Sequence, residues 1–144
     1  MTLEQVFETV GAQLQDWTGG LCDEPLDKLR TRHERLTRDL GRRCALLVSQ
    51  RAVVHGLRHR KTILEERVVR LAEQVEVFTH LGDHQLAWNT ALELDQEREL
   101  LQRECEQLEA HEQAYREQRD DIDYLKERLA VLRQRIERKA WMEM

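Results

Sequence analysis

The stretch LDKLRTRHERLTRDLGRRCALLVSQRAVVHGLRHRKTILEERVVRLAEQVEVF, running from Leu26 to Phe78, decides the fold. Read in sevens, its first position holds Leu26, His33, Leu40, Leu47, Val54, Lys61, Val68 and Val75. Its fourth position holds Leu29, Leu36, Arg43, Gln50, Leu57, Leu64, Leu71 and Phe78. Twelve of these sixteen positions are apolar in a chain that is 40% hydrophobic. The stretch therefore predicts one continuous helix with a narrow apolar seam, the pattern of a coiled coil. His33 and Lys61 read as polar interruptions that set register rather than as ligands. Gly41 and Gly56 fall inside the helix and mark candidate bends.

A second seam follows the punctuation at Gly82-Asp83-His84. It repeats through Ala87, Leu94, Leu101, Leu108, Tyr115, Ile122, Leu129 and Ile136. Its companion positions are polar at Thr90, Glu97, Glu104, His111 and Gln118, and become apolar only at Leu125 and Leu132. Leu26–Phe78 and Ala87–Lys139 have equal length, roughly 80 Å each at about 1.5 Å per residue. Folding the chain at Gly82-Asp83 lays one arm antiparallel on the other with ends matched. Charge supports that pairing: residues 28–70 carry 13 Lys/Arg against 4 Asp/Glu, and residues 83–127 carry 5 against 14. Each exposed ion pair adds little, but the two fields favour this alignment over like with like.

Residues 1–20 predict a short amphipathic helix. Thr2 and Gln5 form a capping-box pattern, and Leu3, Val6, Phe7, Val10, Leu14 and Trp17 share one face. Gly19-Gly20 stops it, residues 21–25 form a linker, and Pro25 suits the first turn of the next helix with Asp23 or Glu24 as its cap. The expected architecture is all-α: this short helix, then a coiled-coil hairpin over 26–144 with arms of about 26–81 and 85–142 and a tip at 82–84. Six Gly and one Pro in 144 residues are too few turn formers for a sandwich, barrel or doubly wound sheet. No run approaches the roughly 18 apolar residues of a membrane span, and no signal peptide precedes the first charges. Cys22, Cys44 and Cys105 sit at no motif spacing, which predicts free thiols in a reducing, cytoplasmic setting.

No residue constellation suggests catalysis, and no cofactor is expected. His55 with His59 and His80 with His84 have the i, i+4 spacing of a metal pair, yet no cysteine or glutamate completes a motif, so they read as surface histidines. Asp120, Asp121 and Asp123 read as a solvated face. Arg51, Arg58, Arg60, Lys61, Arg67 and Arg70 could bind phosphates, but the acidic arm lies opposite and no aromatics interleave, so ion pairing is expected and nucleic acid is not. The Leu3–Trp17 face fits either a membrane interface or packing on protein, and its net charge of −3 favours packing. At the tip, Phe78, Leu81, Gly82, Asp83, Leu86 and Trp88 gather apolar area around a tight turn, either to close it or to meet a partner. Leu46, Val48, Val53, Val69, Leu100 and Tyr124 fall outside the seams, which predicts self-association, or association with a longer family member, along the flank. The seam itself is carried by Leu40, Leu47, Val54, Leu64, Leu101, Leu108, Ile122 and Leu129.

The layout resembles the phage-shock protein A and vesicle-inducing protein in plastids family, within the ESCRT-III-like membrane-remodelling superfamily. The tip, Val77-Phe78-Thr79-His80-Leu81-Gly82-Asp83-His84-Gln85-Leu86-Ala87-Trp88-Asn89-Thr90-Ala91-Leu92, is similar to that family's helix end, Gly-(Lys/Arg)-Glu-Asp-like turn and Leu-Ala-x-x-Ala-Leu continuation. Asp23-Glu24-Pro25-Leu26-Asp27-Lys28-Leu29 resembles the entry to its first long helix. The resemblance spans the chain in layout and about 25 residues in motif. It implies a non-enzymatic homo-oligomeric scaffold at the cytoplasmic face of a membrane, acting in bacterial membrane stress response. It also implies the alternative of a soluble regulator whose hairpin restrains an AAA+ transcriptional activator; a plain coiled-coil spacer is a third reading. The family's hairpin is followed by further helices, whereas this layout ends at Met144, and the N-terminal helix here has Glu4, Glu8 and Asp16 but no Lys or Arg. Both departures count against autonomous membrane remodelling.

Overall fold

A computed structural model describes residues 24–143. They form two long helices packed together, α1 over Leu26–His80 and α2 over His84–Met142, with no strand among the described residues. The helix expected over residues 1–20 lies outside them. No described helix is long and apolar enough to cross a membrane.

The described residues divide into two units, one of residues 24–41 with 123–143 and one of residues 42–122. In the first, the helices run antiparallel around Leu29, Leu125 and Leu132, and Leu29 is only 2% exposed. Glu24 ties the start of α1 to the end of α2. Its carboxylate pairs with Arg32, lies 3.9 Å from Arg135, and its carbonyl oxygen accepts a hydrogen bond from Lys139 Nζ. Glu24 is therefore engaged in ion pairs. The α1 entry is set by Pro25, whose carbonyl oxygen accepts from the Lys28 and Leu29 amides at 3.0 and 3.2 Å. Pro25 thus holds the boundary position one residue before the expected first turn, where its missing N–H costs nothing.

The second unit is an antiparallel hairpin. Its core is built from Val54, Leu57, Leu64, Ala87, Leu94, Leu108 and Ile122, and Tyr115 packs on the Val54, Leu57 and Leu108 cluster. The turn is economical. The Asp83 amide donates to Phe78 O at 3.0 Å and the Gly82 amide donates to Thr79 O at 3.2 Å, the paired bonds of a Schellman C-cap. Such a cap needs a left-handed residue, and Gly82 has φ of 76°. Asp83 then caps α2: its Oδ1 accepts from the Leu86 amide at 3.1 Å, and its carbonyl oxygen accepts from Ala87 at 3.0 Å. The reversal occupies 81–83, so Leu81 belongs to the turn and His84 to α2, a shift of one residue from the expected arms.

All sixteen seam positions of α1 are buried or half-buried. On α2 every seam position from Ala87 to Ile136 is also covered except His111, which is exposed. The seam assignment is corrected there. Leu108 and Tyr115 close over Val54 and Leu57, and an imidazole left at the surface avoids the cost of desolvation. Tyr124, expected outside the seam, is half-buried with the Arg128 guanidinium 5.9 Å from its ring centre.

Candidate interaction surfaces

The polar positions of the α2 seam have partners that follow from helical geometry. The Thr90 hydroxyl, buried, donates to Leu86 O one turn back at 2.8 Å. Glu104, with 8% of its side chain exposed, accepts from Arg60 at 2.8 Å, and Glu97 lies 4.0 Å from Arg67. Arg60 and Arg67 precede the seam positions Lys61 and Val68 and reach across to the facing helix with their side chains largely exposed. Arg58 reaches Glu112 at 3.0 Å and Arg43 lies 3.9 Å from Asp121. Lys61 turns along its own helix to Glu65 at 3.7 Å. Much of the basic stretch is thus answered by the opposing acidic helix. One carboxylate oxygen of Glu97 and one of Glu104 have no hydrogen-bond partner, as do the side-chain oxygens of Gln50 and Gln118.

Of the seam residues singled out from sequence, Val54, Leu64, Leu108 and Ile122 are buried and Leu40, Leu47, Leu101 and Leu129 half-buried. Leu3, Val6, Phe7, Val10, Leu14 and Trp17 lie outside the described residues, as does Cys22. Cys44 and Cys105 are free and half-buried. His55, His59, His80 and His84 are exposed, and no group of three or more His, Cys, Asp or Glu is placed to hold a metal among the described residues. The troughs lined by Thr62, Glu65, Glu66, Val69, Arg70 and Glu73, and by Gln134, Glu137, Arg138, Trp141 and Met142, each lie along a single helix.

Two apolar surfaces remain open on the second unit. At the tip, Leu81 is 74% and Trp88 64% exposed, with Val77, Leu86 and Leu92 also exposed, while Phe78 is half-buried. Trp88 and Leu92 stand one turn apart and share a face of α2. Of the six tip residues singled out, Phe78 is half-buried and Leu81, Gly82, Asp83, Leu86 and Trp88 are exposed. On α1, Leu46, Val48 and Val53 are exposed, and between them lie Ala45, Ser49, Ala52 and Gly56, exposed as well. Val69 and Leu100 add isolated exposed apolar side chains, as expected. Sequence reading singled out Leu46, Val48 and Val53 separately. The spacing 45, 49, 52, 56 is the signal that would have joined them into one outward face.

No family model, curated protein or solved structure matches the chain.

Proposed function

We propose that this chain is a non-enzymatic coiled-coil hairpin scaffold that self-associates through the outward faces of its helices. The observation that carries the reading is the apolar surface left open on a fold whose seam is already filled. Leu46, Val48 and Val53 on α1, and Leu81, Trp88 and Leu92 around the turn, are solvated in the single chain. Large apolar side chains left exposed in groups of this kind favour an interaction surface. The likeness of Asp23–Leu29 and Val77–Leu92 to the phage-shock protein A family adds the setting: a peripheral scaffold on the cytoplasmic membrane face, active in membrane stress or remodelling. In that setting the Leu3–Trp17 face is the element available to lipid, through its apolar side chains and against its net charge of −3, which favours packing on protein.

Flotation with vesicles of anionic lipid tests the membrane part. Binding by the full chain that is lost in Phe7→Glu and Trp17→Glu is the expected result. Failure of the unaltered chain to float contradicts the membrane role. The exposed Trp88 and Leu81 also favour a second reading, a soluble regulator whose tip engages a partner protein such as an AAA+ activator. Aromatic side chains of this kind are frequent binding hot spots. Capture of such an ATPase by the chain, indifferent to Phe7→Glu and Trp17→Glu, distinguishes that reading.

A further inference from the structure

Charge along the second unit is more segregated than a coiled coil requires. Residues 40–64 hold six Lys/Arg and no Asp/Glu, and residues 73–97 hold six Asp/Glu and no Lys/Arg. The acidic segment straddles the turn, so the hairpin folds it onto itself. Arg67 reaches Glu97, but among the described residues no ion pair involves Glu73, Glu76, Asp83, Glu93 or Asp95, all exposed. The tip is therefore an acidic end, without a basic complement of its own, that exposes Leu81 and Trp88.

The complement exists elsewhere on the same sequence. The outward face of α1 from Arg42 to Gly56 is bordered by exposed Arg42 and Arg51 and contains no carboxylate. Its middle is a shallow floor of Ala45, Ser49, Ala52 and Gly56 between the shoulders of Leu46 and Val53 on one side and Val48 on the other. A glycine in mid-helix weakens the helix relative to alanine, and a Cβ added at Gly56 meets nothing within 4 Å. Among the described residues nothing requires this glycine, and its missing side chain leaves room for the close approach of a second molecule.

We propose that the tip of one copy, led by Leu81 and Trp88 with its acidic surround, docks on the basic, apolar outward face of α1 between Arg42 and Gly56 of a second copy. The inference rests on the self-association reading and names its contact. The two patches differ, so the contact is head-to-tail. Each bound copy leaves one tip and one α1 face free, and association continues beyond a dimer unless the geometry closes a ring. Unlike charges steer the approach, and molar salt weakens it.

The test is a mixing experiment with the full chain, read by light scattering. Trp88→Glu removes the tip and keeps the α1 face; Val48→Glu does the reverse. Both sites are exposed, and helical circular dichroism checks that each variant folds. The expected result is that each variant alone has the mass of one chain at concentrations where the unaltered protein is larger. An equimolar mixture then forms two-chain complexes that grow no further, since only one productive contact remains. Gly56→Leu fills the floor and is expected to weaken association at least tenfold while the helix melts no lower. Oligomers that survive either glutamate variant alone, as they would if like faces paired with like, or a mixture that stays at one chain, overturn the docking assignment while leaving self-association intact. An unaltered chain that is monomeric at every concentration overturns the self-association reading itself.

Discussion

At position 104 the α2 seam buries a carboxylate, and the way it is held shows how a single residue is balanced. Glu104 accepts from Arg60, but its other oxygen has no partner. Removing the arginine strands a desolvated charge, so Arg60→Ala is expected to cost about 1–3 kcal/mol in urea unfolding. Glu104→Leu places an apolar side chain at a seam position and is expected to be neutral or to stabilise by about 1 kcal/mol. Equal losses in the two variants would contradict the assignment of Glu104 as a buried, half-satisfied charge. The identity of the seam residues was legible because eight repeats reinforce one another. The pairing of Arg60 with Glu104 was not, since the cross-helix partner depends on which rotamers span the seam. His111 marks the same limit: periodicity places its Cα near the seam, while the cost of burying an imidazole sends its ring to water.

Among the elements, the turn is where sequence and structure agree most closely, because Gly82 and Asp83 each carry a defined backbone task. Gly82→Ala puts a side chain at a φ of 76° and is expected to destabilise the hairpin by about 1–2 kcal/mol. Asp83→Ala removes the acceptor for the Leu86 amide and is expected to cost about 1 kcal/mol. Hydrogen exchange should show that second loss as faster exchange in the first turn of α2. Unchanged exchange at Leu86 would contradict the cap. Gly56→Ala should raise helix stability by up to about 1 kcal/mol, since the added Cβ meets open space. The Glu24 cluster was not legible. It joins α1 to a lysine 115 residues further on, and no local pattern announces so distant a contact.

At the scale of the whole molecule the features that could bind a partner are surfaces, and no enclosed pocket is found among the described residues. The composition pointed to helices, and the charge segregation pointed to antiparallel pairing. The outward face of α1 emerged only when Ala45, Ser49, Ala52 and Gly56 were seen exposed together. A chain with filled seams and open apolar faces is expected to associate with itself, and to do so more weakly as salt screens the opposed charges. The most direct test is the solution mass of the full chain by light scattering across a wide concentration range at low salt. The expected mass exceeds one chain and rises with concentration. A mass fixed at one chain throughout contradicts self-association.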